Sequence, residues 1–255
     1  MNLPSVSIAV LSHNYERYLD EAIASTTDQE PGDYRLAEVV VIDDGSTDGS
    51  IVVCERYPNV RLVRKAHAGF GDTLTRAVEE TAADWIALLD ADDAFMPNKL
   101  RTLSPYLADR RLLFVQHAEY VVDADGYPFA EDSHPGGATS TLVVRTDAAR
   151  ALLPVTNELF FHVLAELGYG IKVDEPLTRY RVHDASMTDR RTPGAFSNYM
   201  AGVMANVAER LAELATTPPA WATAARLVEL AATYRRRAAR IRTHADRERR
   251  EGRMP

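Results

Sequence analysis

The chain has 255 residues, 46% of them hydrophobic and 26% charged, a composition that can bury a substantial core and excludes disorder as the default. A net charge of -8 argues against nucleic acid as a general partner. Cys54 is the single cysteine, which excludes an intrachain disulfide and disfavours cysteine-ligated zinc; the first apolar run lacks a basic flank, no segment reaches the roughly 18 apolar residues of a membrane span, and the expectation is a soluble, cytoplasmic protein.

Four early segments, "SVSIAVLS", "AEVVVIDD", "NVRLVRK" and "DWIALLD", are short, rich in Val, Ile and Leu, and end in polar residues. Strands buried on both faces have this character. Between them, residues 15–27, 48–57 and 70–81 carry helical spacing. The alternation implies βαβ units and a parallel sheet with right-handed crossovers. Ligands bind such sheets in the crevice outside the carboxyl ends of the strands. "SHN", "DDGSTDGS", "AHAGFG" and "DADD" follow the four strands in turn, so four polar turns converge on one edge.

Pro97 suits the first turn of a helix running to about Leu107. Beyond it the pattern changes. "LLFVQHAEYVVDADGYP" alternates and breaks at Asp125-Gly126, as a hairpin would. "TSTLVVR" reads as a strand, "TDAARALL" as a helix capped by Thr146, "NELFFHVLAELG" as a longer helix, and "GIKVDEPLTRYRVH" as a further extended stretch. From about Pro193 the chain is helical and alanine-rich, with Pro218-Pro219 separating two helices. In the last one Ala220, Ala224, Leu227, Ala231, Tyr234, Ala238 and Ile241 form a stripe, and arginines cluster towards its end, from Arg235 to Arg253. A helix packed on its own domain, a homodimer contact and peripheral contact with an anionic membrane are all compatible with that pattern. The expected organisation is a domain over 1–192, with a donor half 1–100 and an acceptor half 101–192, followed by a helical extension over 193–255.

Two turns carry the chemistry. In "VVVIDDGSTDGS", Asp43 and Asp44 end a strand, a glycine permits a tight turn, and Asp48 is placed to cap the next helix. A carboxylate at this place can accept hydrogen bonds from a base or ribose. Neither a G-x-G-x-x-G turn nor a G-x-x-x-x-G-K-[ST] loop follows the first strand, so phosphates need another partner, and a cation held by carboxylates is one. Asp90, Asp92 and Asp93 crowd three carboxylates into four positions. They offer hard oxygen ligands to Mg²⁺ or Mn²⁺, and without a cation their repulsion raises at least one pKa.

"VSIAVLSHNYERYLDEAIAS", "EVVVIDDGSTDGS", "GFGDTLTRAVEETAADWIALLDADDAFMPNKL" and "VDEPLTRYRVH", in this order, resemble the family 2 glycosyltransferases of GT-A fold, from about Val6 to His183. The resemblance implies an α/β fold with a Rossmann-like, mostly parallel sheet flanked by helices, a mixed acceptor-side half and the C-terminal helical extension. It implies a nucleoside-diphosphate sugar donor (UDP-, GDP- or dTDP-linked), an acceptor hydroxyl, Mn²⁺ or Mg²⁺ as cofactor, and inversion at the anomeric carbon. Asp44 takes the place of the residue that contacts base or ribose, with Ser12 and Tyr15 lining the same pocket. Asp90 and Asp92 match the D-x-D element on the donor side, with Asp92 and His183 as metal ligands. Asn157 falls at the position of the family's catalytic aspartate, which makes its neighbour Glu158 the candidate general base. Arg76 is a candidate donor contact in place of residues the family carries near Leu74 and Thr75, and Gly136 and Gly137, with Thr139 and Ser140, are placed on the rim of an acceptor loop. The alternatives are a sugar-phosphate nucleotidyltransferase and a member that binds nucleotide sugar without turnover.

Overall fold

A computed structural model describes residues 3–129, 137–183 and 192–251. The chain divides into two compact units, residues 1–183 and 184–255. The first is built on an eight-stranded mixed sheet of order β3-β2-β1-β4-β7-β6-β8-β5.

Strands β1 (Ser5–Ser12), β2 (Arg35–Asp43), β3 (Val60–Arg64) and β4 (Trp85–Asp90) pair in parallel. Helices α1 (Glu16–Thr27), α2 (Ser50–Cys54) and α3 (Phe70–Glu80) connect them, as the alternation predicts. β1 is buried along its whole length because it lies between β2 and β4 with apolar helix faces over it. Leu19, Ala22 and Ile23 of α1 join Val6, Ile8 and Val10 in one core cluster. α2 is shorter than the spacing predicts. Asp48 binds both the Ser50 amide (3.0 Å) and the Glu16 amide (3.0 Å), while Glu16 binds the Gly49 amide (2.9 Å). The reciprocal pair ties the starts of α1 and α2 together at one edge of the sheet.

β5 (Ala94–Phe95) and α4 (Lys99–Leu107) follow, then β6 (Phe114–Val122), a 3₁₀ turn over Thr139–Thr141, β7 (Leu142–Arg145), α5 (Thr146–Leu152), α6 (Leu159–Glu166) and β8 (Gly170–Arg181). The turn expected at Asp125-Gly126 is present, and the chain doubles back across it as far as the described residues run. Gly126 has φ +90°, Val122 bridges to Pro128, the Asp123 amide donates to the Tyr127 carbonyl (2.8 Å) and the Phe129 amide to the Val121 carbonyl (3.1 Å). β6 also pairs with β7 antiparallel and with β8 parallel. Thr146 does not cap α5: its hydroxyl donates to the Ala83 carbonyl at 2.6 Å, fastening the helix to the strand-entry loop of β4.

The second unit contains α7 (Ala195–Leu214) and α8 (Ala224–Glu251), packed on each other. The buried stripe of α8 runs from Leu227 through Ala231, Tyr234 and Ala238 to Ala245. Ala220 precedes the helix and Ala224 is exposed, so both fall outside it. Among the described residues no helix is long and apolar enough to cross a membrane.

Candidate active site

At the carboxyl edge the last residues of β1 and β2 are in register, Ser12 beside Asp43, so the first two polar turns start side by side. Gly45 has φ +73°, and a Cβ there would lie 2.8 Å from the His67 nitrogen. Only glycine allows this turn to pack directly on the connection between β3 and α3. The contact delivers donors to Asp44. Its carboxylate accepts the Ala68 and Gly69 amides, each at 2.9 Å, and the Lys65 ammonium, while His67 Nδ1 lies 2.9 Å from Oδ2. A carboxylate has about four acceptor sites, and here three donors and the His67 ring nitrogen face them. Burial opposes the charge, but the Lys65 ammonium and the two amides outweigh it and hold Asp44 below the ordinary carboxylate range.

Beside this carboxylate stands a pair that sequence reasoning passed over. The rings of His13 and His67 stack with centroids 4.1 Å apart. Their Nδ1 atoms lie 2.8 and 3.2 Å from the Asp44 carbonyl oxygen. The signal was present in "SHN" and "AHAGFG", one histidine in each of two turns already assigned to the same edge. Ser12 Oγ and Asp43 Oδ1 are buried close by, without a hydrogen-bond partner among the described residues.

The acidic turn is built differently. Its anchor is Ser140, whose hydroxyl accepts the Asp90 amide (2.9 Å) and donates to Asp93 Oδ2 (2.6 Å). The Ser140 carbonyl accepts the Lys99 ammonium (2.8 Å) and the Thr178 hydroxyl (2.9 Å). Thr139 hydrogen-bonds Asp90. Both residues, expected on the rim of a loop, are buried beneath the carboxylates they hold, because the 3₁₀ turn between β4 and β6 places them under the strand end. Burial, and then repulsion from Asp92, push Asp90 and Asp93 well above the usual carboxylate range; the Ser140 hydroxyl and the Arg181 amide, 2.8 Å from Asp93 Oδ1, work against this at Asp93.

Asp92 is buried in the same turn. His183 Nε2 lies 3.1 Å from its Oδ2, so the two predicted metal ligands, far apart in sequence, meet. Tyr15, expected beside Asp44, sends its hydroxyl to Asp92 instead, and burial together with the carboxylates of Asp92 and Asp90 pushes its phenol up. Asn14 explains the divergence: its φ of 58° turns the chain between His13 and Tyr15, so the first is directed to Asp44 and the second to Asp92. Arg181 supports the arrangement, donating through Nε to the Asp92 carbonyl at 2.8 Å and pairing with Glu21 at 2.6 Å.

Glu158, at the N-terminal end of α6, lies near enough to Asp90 to act on its charge. A Cβ on Gly71 would lie 2.7 Å from Thr156 Cα, so that glycine lets the start of α3 close on the segment leading into α6. Burial raises the Glu158 carboxyl to about 7, and its charge is one of the causes that raise Asp90. Asn157 is buried, and its Oδ1 accepts the Leu159 amide at 3.0 Å, holding the first turn of the helix. Arg76 pairs with Glu79 and Glu80 on its own helix and is no donor contact in this arrangement. Gly136 and Arg253 lie outside the described residues.

Comparison with known proteins gives these features a context. The model of the family described as Glycosyl transferase family 2 matches residues 7–162. An uncharacterized glycosyltransferase of Nostoc sp. is 29% identical over 175 residues, which cover 67% of this chain and 52% of that protein; the chain thus spans about half the length of that relative. Among solved structures, S. aureus TarS in complex with UDP-GlcNAc has a TM-score of 0.61 at 16% identity, over 98% of this chain and 92% of the other. Mannosyltransferase PcManGT from Pyrobaculum calidifontis, in complex with GDP-Man and Mn²⁺, has a TM-score of 0.59 at 15% identity, over 96% and 75%. The fold is that of the GT-A glycosyltransferases.

Proposed function

The chain belongs to glycosyl transferase family 2, and we propose that it moves a sugar from a nucleoside-diphosphate donor to an acceptor hydroxyl, inverting the anomeric carbon with the help of a divalent cation. The observation that carries this reading is the meeting of Asp92 and His183, 3.1 Å apart, beside two further buried carboxylates at the edge where the four parallel strands end. One carboxylate oxygen and one imidazole nitrogen form a donor set that suits Mn²⁺ at least as well as Mg²⁺. The crowding that raises Asp90 and Asp93 is relieved by a positive charge, so the residues present fit such an ion. When bound, the cation offsets the charge of the departing diphosphate.

The remaining work falls to the chain. Tyr15 orients Asp92, and Ser140 with the Arg181 amide fixes Asp93. Glu158 takes the proton of the acceptor hydroxyl as it attacks, a task suited to a carboxyl near 7. Asp44, with Ser12 at the end of the neighbouring strand, receives the nucleoside. Its acceptor sites are filled by neighbours, so a base or ribose must displace one; His67, whose side chain is 59% exposed, is the donor most easily moved. Residues 1–192 form the transferase domain and 193–255 its helical extension. Because the apolar stripe of α8 is already buried while Arg235, Arg236, Arg240, Arg247 and Arg250 are exposed, those arginines favour peripheral contact with an anionic membrane over a dimer built on the stripe.

A panel of UDP-, GDP- and dTDP-sugars, each with and without Mn²⁺, tests the reading by thermal stabilisation and by nucleotide release. One donor is expected to stabilise the protein more strongly with Mn²⁺ and to release nucleoside diphosphate. Release of pyrophosphate would make it a nucleotidyltransferase. Stabilisation without release for any acceptor would leave a binding protein, and no metal-dependent response to any donor would sink the proposal.

A further inference from the structure

His13, Asp44 and His67 meet from three different turns, and their ligand atoms all lie within 4.8 Å of one another. Only part of this cluster is used by the proposed reaction. The two imidazoles do not simply stack: both turn Nδ1 towards oxygens of one residue. The separations are 2.8 Å from His13 to the Asp44 carbonyl, 3.2 Å from His67 to the same carbonyl, and 2.9 Å from His67 to Asp44 Oδ2. In a tetrahedron with bonds of ~2.0–2.1 Å, neighbouring ligand atoms are about 3.3 Å apart. Three of the separations are therefore within a few tenths of an ångström of that spacing, and for both nitrogens to face one ion the rings must turn apart from their 21° stack, a movement open to His67, whose side chain is 59% exposed.

The geometry points to a second cation site, formed by His13 Nδ1, His67 Nδ1 and Asp44 Oδ2 with the Asp44 carbonyl, that takes a borderline transition metal such as Zn²⁺ and, when filled, shuts the nucleoside out of Asp44. Two imidazoles and one carboxylate select Zn²⁺ or Co²⁺ over Mg²⁺ or Ca²⁺. The carboxylate is already oriented by the Ala68 and Gly69 amides and by Lys65, the supporting contacts a metal-ligating carboxylate needs. The site stands apart from Asp92 and His183. β2 and β4 lie on opposite sides of β1, and two strand spacings amount to about 10 Å. Filling it opposes one weak contact, the exposed 3.3 Å approach of Asn14 Nδ2 to His13 Nε2, since the ring proton would move to Nε2. Metal binding here is independent of the proposed reaction; only the exclusion of the nucleoside rests on that reading.

The full chain, stripped with a chelator, is titrated with Co²⁺ and followed by its visible absorption, then with Zn²⁺ to displace it. One equivalent of Co²⁺ with tetrahedral bands is expected in the wild type and in the double variant Asp92→Asn/His183→Ala. In His13→Ala and in His67→Ala the affinity is expected to fall by about tenfold or more, with metal-free melting temperatures near that of the wild type. No tetrahedral bands in the wild type, or unchanged binding in both single variants, overturns the site. Uridine or guanosine, which carries no chelating phosphate, is then added. Competition with Co²⁺ is expected, and a nucleoside that stabilises the protein while leaving Co²⁺ in place overturns the exclusion. Absence of any nucleoside or nucleotide binding would count instead against the donor reading.

Discussion

The two carboxylate turns at the sheet edge lie on the same scaffold and hold their charge in opposite ways. Asp44 is surrounded by donors, namely Lys65, two amides and His67, and stays ionised despite its burial. Asp90 and Asp93 are buried among other carboxylates, and the Ser140 hydroxyl, the Thr139 hydroxyl and the Arg181 amide do not offset the repulsion. A carboxylate compensated from within can bind only by exchanging one donor for another, whereas an uncompensated cluster gains by taking up a cation. The proposed division between a nucleoside end and a metal end rests on this asymmetry.

The comparison can be broken most severely at Glu158, the carboxyl proposed to act on the acceptor. Glu158→Gln should lower transfer by roughly 10²–10⁴-fold, the usual contribution of a general base, with donor binding retained. In the wild type the rate should rise with pH through about 7 as the raised carboxyl ionises, and a pH–rate profile of the variant should lose that limb. Transfer that survives the substitution assigns the base elsewhere.

Asp92→Asn should reduce turnover by about 10²–10³-fold, on the order of losing one electrostatic contact to the leaving group, and should abolish the Mn²⁺-dependent part of donor stabilisation measured by melting. An unchanged Mn²⁺ response would move the metal to another turn.

Ser140→Ala probes what holds the acidic turn together. It leaves the Asp90 amide and Asp93 Oδ2 without their shared partner, at a cost of about 1–3 kcal/mol, seen in chemical denaturation as a lower midpoint with unchanged slope. An unaltered midpoint would show that Ser140 is incidental.

A smaller effect is expected on the compensated side, since Asp44 keeps three donors when one is removed. Lys65→Met should cost about 1 kcal/mol at neutral pH. Asp44 has a depressed folded pKa, so it contributes stability above the unfolded carboxylate value near 4 that is lost as pH falls through its folded value. The variant should therefore lose less stability between neutral pH and pH 3 than the wild type, and equal losses would mean that Lys65 does not hold the charge.

Much of this was legible from residue order. β1 to β4 alternate with helices at the predicted places because runs such as "SIAVL" and "VVVI" are too apolar to be anything but buried strands, and their polar ends necessarily share an edge. Asp44, Asp90 and Asp92 stand at that edge for the same reason. Thr139 and Ser140 were misplaced because a short polar run before a strand looks like any loop, and only the pairing of β7 between β4 and β6 puts it under the carboxylates. That Tyr15 turns to Asp92 was not legible, because nothing in "SHNYER" announces the left-handed Asn14. The turn at Gly126 was legible from its residues, whereas the strands β7 and β8 that pair with β6 come from far along the chain.

The sequence by itself determined the elements, their parallel order and the residue types at the edge, since hydrophobic periodicity and turn chemistry are local and survive without knowledge of partners. The family resemblance implied that His183 meets Asp92; tertiary structure alone decided which carboxylate is paired and which is crowded, that Glu158 lies near enough to raise Asp90, and that two histidines flank Asp44. Those facts depend on distances between segments far apart in the chain, and burial and Coulomb terms are set by such distances and not by spacing along the sequence.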